Sequence, residues 1–565
     1  MINTRVIFHG IAALLCFVAL RAGAQSFQVQ CPTSTITHPT SVAGVNNNAE
    51  PAYTGPTTLS APSATTYQKP TAKVNGAIKC QQISGGDGFA TMGDGTQIYM
   101  FSFGPLSGLA DMAAGRPGTQ FPDVFNTPFS GTFMPGDPAT ANGAGDAPYT
   151  IGSAFGTAGA FSYNGAVGLA PDSDCLADPV CAATLAASGI TGGINGHVDP
   201  RPIMDVGVMN GNQPAPLMAI DEDDEFFLTL TNVGQVMRPD LFEQHTVHFH
   251  GYPNASAFYD GVPDASVAIN IGGSFTYYYL APDAGTYFWH CHISPPEHLQ
   301  MGMVGQIYVR PRQNRVPATT TLNAALLTQQ ADPRTACRRP GDGATPAVTS
   351  APEVLCSNPV PAITTATTGG GKYAYNDGDG STAYDVEYPL QIHGFDPNFH
   401  FVGMTFNPES FTDMKDKYFL LNGRSYPDTV NPDPMATQTT DGVMHYSQPL
   451  PAIINIPVGK KALLRISDLD VTEYQTLASL GIPMKVIGIN AKLLRDQAGN
   501  NLYYGTNSIT LAGGESLDVI LDASDTAKYP TGSVFYLYTP NLDHLSNDAE
   551  NFGGLMTEVH IVSAI

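Results

Sequence analysis

Two short runs with fixed spacing constrain this chain more than any other feature: Trp289-His290-Cys291-His292 and, about forty residues upstream, His245-Thr246-Val247-His248-Phe249-His250-Gly251. On extended backbone, side chains alternate between faces with period two. His290 and His292 then point one way and Cys291 the other. His248 and His250 share a face, while His245, three residues before His248, takes the opposite one. Paired strands would therefore sort these residues into a thiol with one imidazole on one side and four imidazoles on the other. A helix would scatter them.

His298 and Met303 follow the second run and complete a recognisable donor set. Two imidazoles and a thiolate in a trigonal array, with a weak axial thioether, suit an ion that shuttles between Cu(I) and Cu(II). His245, Cys291, His298 and Met303 supply that set; Met301 is a rival axial donor, and spacing from His298 favours Met303. Closed structural zinc sites use short paired Cys or His spacings and have no use for a methionine at this offset.

Around these motifs the chain resembles the multicopper oxidases, the family of laccases, bilirubin oxidases and metal-oxidising cuproenzymes. The resemblance implies copper as cofactor, with His245, Cys291, His298 and Met303 as type 1 ligands. It implies that His248, His250, His290 and His292 are half of a type 2/type 3 cluster. Asn210-Gly211-Asn212-Gln213-Pro214-Ala215-Pro216 is similar to the opening of a cupredoxin domain, and Tyr259-Asp260-Gly261-Val262-Pro263 and Gly285-Thr286-Tyr287-Phe288-Trp289 match family signatures. By the same resemblance Asp260 corresponds to an acid that delivers protons to reduced oxygen, a reasonable relay beside bound water. A turn-forming Asp before Gly261 is the alternative. The match is specific from about Met209 to Val309.

Two departures matter. Five residues, Ile293 to Glu297, separate His292 from His298 where the laccase-like pattern has three. A complete trinuclear cluster in the family draws eight histidines from two cupredoxin domains, and only four stand in these motifs. The expectation is an oxidase that couples one-electron oxidation of a reductant to reduction of dioxygen to water. The reductant is a metal ion such as Mn(II), Fe(II) or Cu(I), or a phenol. The cluster would be shared between subunits of a homo-oligomer, two copies facing each other across a twofold axis. Two alternatives stay open: a blue-copper electron-transfer or copper-carrier protein without oxidase activity, and a two-copper enzyme similar to nitrite reductases.

The expected fold is all-β, two cupredoxin-like Greek-key sandwiches, because short strands alternate with Gly, Pro and Asp turns. With 565 residues there is room for several domains. Residues 1–24 read as a secretory signal, with Arg5 before the apolar Ile11 to Leu20 and small residues Ala22-Gly23-Ala24. Residues 25–79 read as a flexible arm rich in Thr, Ser and Pro. Residues 80–312 form the copper-binding domain, interrupted by a Gly/Ala-rich insertion at about 104–202; 313–384 link it to a second, copper-free domain at 385–565. The acidic run Asp221 to Asp224 reads as a solvated strand start. Lone histidines such as His38, His393, His400 and His445 read as structural, and His544 as a weak candidate for copper.

Cysteine parity fits export. Of eight cysteines, Cys16 leaves with the signal and Cys291 is claimed by the metal, leaving an even set in which Cys31–Cys80, Cys175–Cys181 and Cys337–Cys356 are the plausible pairs. A net charge of -24 argues against nucleic acid and anionic membrane surfaces. No run beyond the signal approaches the roughly 20 apolar residues of a membrane span. The protein is therefore expected in the periplasm, outside the cell or on its outer surface.

Overall fold

The computed structural model describes residues 31–126, 209–321 and 369–564, apart from positions 62, 109–110, 113, 236, 252–255, 282, 404–409, 439–443 and 497–498, together with 183, 324 and 325. The expected signal, most of the 104–202 insertion, and the pairs Cys175–Cys181 and Cys337–Cys356 lie outside the described residues.

Eight strands build the first sandwich: β1 (Ile78–Thr91), β2 (Gln97–Pro105), β3 (Met218–Asp221), β4 (Glu225–Asn232), β5 (His248–Phe249), β6 (Ser274–Leu280), β7 (Gly285–His290) and β8 (Val304–Arg310). One sheet runs β2-β1-β4-β6 and the other β3-β8-β7-β5. Each contains one parallel pair, β1 with β4 and β3 with β8, among antiparallel neighbours. Strand β4 illustrates how sequence sets the layers. Phe226, Leu228 and Leu230 alternate into the core, while the hydroxyls of Thr229 and Thr231 meet Thr276 and Ser274 across the pair with β6 at 2.8 and 2.7 Å. Phe101, Phe103, Trp289, Ile307 and Val309 close the core from the other strands.

The second sandwich repeats the scheme. Its larger sheet runs Tyr418–Leu421, Val386–Phe395, Lys461–Asp468, Glu515–Asp522, Met484–Ile489 and Lys492–Leu493, and a five-stranded sheet runs Ile454–Pro457, Met556–Val562, Val534–Tyr538, Gln475–Leu480 and Ser508–Leu511. The parallel pairs recur, Val386–Phe395 with Lys461–Asp468 and Ile454–Pro457 with Met556–Val562. The fold is thus all-β, with two cupredoxin-like sandwiches. They meet beside β7: Thr286 donates to Asp518 at 2.6 Å, and Ser516 donates to the Thr286 carbonyl at 2.8 Å.

Composition misled in two places. The part of the supposed flexible arm that is described is fastened down, because Cys31 is bonded to Cys80, His38 pairs with Glu225 at 2.8 Å, and Tyr53 is fully buried with its N–H on the Arg315 carbonyl. The acidic run is not solvated either. Asp221, Glu222 and Asp224 are buried, Arg312 grips Asp223 through two 2.7 Å bonds, and Asp224 accepts the N–H groups of Ala77 and Asp221. Its charges are matched by arginines about ninety residues downstream, a pairing that local charge patterning does not reveal. No helix among the described residues is long and apolar enough to cross a membrane.

Candidate metal centre

Strand β7 ends at His290, in register opposite His248 of β5, with Trp289 opposite Phe249. The expected division of faces follows. His245, Cys291 and His298 form one buried group whose ligand atoms all lie within 4.8 Å of one another, and His248, His250 and His290 form another.

In the first group both imidazoles turn Nδ1 to the sulfur: His298 Nδ1 lies 3.3 Å and His245 Nδ1 4.0 Å from Cys291 Sγ. The Thr246 N–H donates to the same sulfur at 3.4 Å. Burial would push the Cys291 thiol up, but the flanking His298 and His245 overcome it and hold the thiol well below its usual range. His298 shows the reciprocal effect. Burial lowers it, yet the Cys291 thiolate and the Glu243 carboxylate raise it to about 10. His298 rides on the helix Pro295–Gln300, built from the residues that lengthen the loop, and Met303 follows immediately, its N–H bonded to the His298 carbonyl at 2.9 Å. Gly85 of β1 lies beneath the His245 ring; a Cβ there would sit 2.7 Å from His245 Cδ2.

In the second group backbone carbonyls orient the rings. His248 Nδ1 lies 2.7 Å from the Asp260 carbonyl, and His290 Nδ1 lies 2.7 Å from the Cys291 carbonyl. With Nδ1–H donated, a neutral ring presents its Nε2 lone pair, the arrangement metal-ligating histidines use. The Nε2 atoms of His290 and His250 face each other at 2.9 Å, a hydrogen-bond distance at which one ring donates and the other accepts. Burial chiefly, then neighbouring imidazoles, lowers His250 to about 4, and burial lowers His290 to about 3; both are neutral near pH 7. His292 stands outside this triple, its ring 5.1 Å from that of His248. The Asp260 carboxylate lies 3.5 Å from His248 Nδ1.

The donor chemistry fits copper on both faces: a thiolate with two imidazoles on one, neutral imidazoles on the other. Sequence reading missed Glu243, whose Oε2 meets His298 Nε2 at 3.3 Å, and Thr246, whose hydroxyl accepts the His292 N–H at 3.0 Å. Glu243 precedes His245 by two residues, a parity that could have placed it beside the site. His544 is held by Gln475, Asn541 and Glu473, with its ring stacked 3.7 Å over Phe419.

A known family model falls on the same stretch. Residues 195–314 match the family model described as multicopper oxidase. Among curated proteins, a laccase of Aspergillus fumigatus is 34% identical over 109 residues, 19% of this chain and 17% of that protein. A copper-containing nitrite reductase of Rhizobium meliloti is 35% identical over 109 residues, covering 18% and 26%. Among solved structures, the blue copper oxidase from Nitrosomonas europaea aligns over 62% of this chain and 78% of its own, with 20% identity and a TM-score of 0.40. The matching segment spans about a sixth of the length of the laccase and about a quarter of the reductase. The family match and the donor geometry coincide on one stretch, residues 195–314, which is similar to the multicopper oxidases.

Proposed function

We propose that this chain is an exported multicopper oxidase that couples one-electron oxidation of a reductant to reduction of dioxygen to water. The observation that carries the proposal is Cys291 itself: its sulfur meets His245 and His298 on one face, while His290 on the opposite face joins His248 and His250. Copper supplies one-electron redox chemistry when bound. His245, Cys291, His298 and Met303 would hold it on the thiolate face. His248, His250, His290 and His292 would hold it on the other. The Cys291 backbone is then the covalent link between the faces, and the Asp260 and Cys291 carbonyls fix the rings of His248 and His290. The Asp260 carboxylate, partly exposed and 3.5 Å from His248 Nδ1, would hand protons inward.

Glu243 covers the outer nitrogen of the fully buried His298, with Glu297 close enough for the two carboxylates to repel. That acidic mouth favours a cationic reductant such as Mn(II), Fe(II) or Cu(I) over a neutral phenol. The imidazole face supplies four histidines, so a second copy would contribute the remainder across a twofold axis. The same count also supports a blue-copper carrier without oxidase activity. Oxygen uptake with Mn(II), Fe(II) and a phenol, measured alongside copper content, separates the two. The oxidase reading requires uptake that His248→Ala abolishes while the blue colour survives. Uptake unchanged by His248→Ala, or no uptake at full copper occupancy, rejects it.

A further inference from the structure

Two carboxyls meet without a cation where the second sandwich touches the helix Pro295–Gln300. A Cβ built on Gly394 would lie 2.2 Å from Asp416 Oδ2 and 2.8 Å from Asp470 Oδ2, so both oxygens converge on the space a side chain would fill. The Thr472 hydroxyl bridges them, 2.5 Å from Asp416 Oδ2 and 3.0 Å from Asp470 Oδ1. Gln475 Nε2 donates to Asp470 Oδ2 at 2.6 Å. From the first sandwich, Gln300 Nε2 donates to Asp416 Oδ1 at 2.9 Å and Gln300 Oε1 accepts the Asp396 N–H at 2.9 Å. His400 Nε2 completes the junction 2.9 Å from the Gln300 carbonyl.

We propose that Asp416 and Asp470 share one proton and act as a pH-sensitive latch that holds the second sandwich against the helix Pro295–Gln300. Two like charges in one buried spot cannot both be ionised without a compensating cation. No lysine or arginine among the described residues supplies one. Around the pair stand the carboxyls Asp468 and Glu473, the imidazole His393 and the backbone N–H groups of Thr472 and Glu473; Glu515 lies beyond Asp468, Asp396 and His400 hold Gln300, and His544 holds Gln475. Among the described residues neither Asp416 nor Asp470 forms an ion pair with Lys or Arg, although Lys415 and Lys417 flank Asp416 in sequence. Burial, then the neighbouring Asp470, pushes the Asp416 carboxyl well above its ordinary range, and burial does the same to Asp468.

The sign follows from linkage. A carboxyl raised in the folded state stabilises the junction while protonated, and the contribution disappears as pH rises through its folded-state titration. Loss of the shared proton to solvent leaves two adjacent carboxylates. Their repulsion separates the loop carrying Asp416 from that carrying Asp470 and loosens the hold on Gln300.

Hydrogen exchange on the full-length metal-free protein tests this, with protection factors corrected for the intrinsic base dependence of exchange. Above the latch's titration, protection of the amides of residues 297–303 and 393–396 should fall by up to about tenfold per pH unit. In Asp416→Asn the pH dependence should vanish. Asp470→Asn, which removes the other carboxylate, should behave alike if the first variant folds poorly. Wild-type protection that does not vary with pH, or a pH dependence unchanged in either folded variant, would overturn the latch.

Discussion

At the scale of single residues, His298 controls how the thiolate face takes up metal. In the metal-free protein it stays protonated up to about pH 10, while Cys291 is already a thiolate. Copper must then displace one proton from His298 and none from Cys291. Copper affinity at this face should rise about tenfold per pH unit between pH 7 and 9, with one proton released per ion, as calorimetry in buffers of different ionisation enthalpy would report. An affinity flat across that range would show that His298 is neutral. Glu243 makes the second residue-scale prediction. Glu243→Gln removes a charge that sits 3.3 Å from His298 and faces solvent, so kcat/KM for Mn(II) or Fe(II) should fall by about tenfold with the blue absorption retained. The grouping of His245 and His298 with Cys291, and of His248 and His250 with His290, was legible from spacing, because parity needs only extended backbone. The carbonyl partner of His248 was not, since that contact depends on how the segment through Asp260 folds back.

Elements show where local pattern suffices and where it fails. Strands β4, β6, β7 and β8 alternate or run apolar between Gly, Pro and Asp, and their extents follow closely from sequence. Strand β1 does not. Ile78–Thr91 carries Gly85, Gly86 and Gly88, which read as breakers, yet Gly85 is needed for the His245 ring to approach. The short turn between β3 and β4 was misjudged for a different reason: its acids are neutralised by Arg312 and Arg315 from a distant part of the chain. Arg312→Ala strips partners from Glu222 and Asp223, leaving buried carboxylates uncompensated. Denaturant unfolding should show a loss of about 3–5 kcal/mol; a change under about 1 kcal/mol would mean that solvent reaches this turn.

The whole molecule is two sandwiches that share contacts beside β7 and under the His298 helix, with the N-terminal segment strapped to the first by Cys31–Cys80. That disulfide spans 49 residues, and loop-closure entropy puts its contribution at about 4 kcal/mol. Cys31→Ala with Cys80→Ala should lower unfolding free energy by up to that amount while leaving the blue absorption unchanged at temperatures where the protein stays folded. The two-domain plan was legible from turn spacing. The straps and latches between distant segments were not, because long-range pairing leaves no local periodicity. The central claim is that Cys291 belongs to one copper face and flanks another. Electron paramagnetic resonance with copper counting on Cys291→Ser tests it most directly: the account predicts loss of the blue absorption and its narrow copper hyperfine signal, with copper still bound at His248, His250 and His290. A blue signal that persists, or a variant that binds no copper at all, would contradict it.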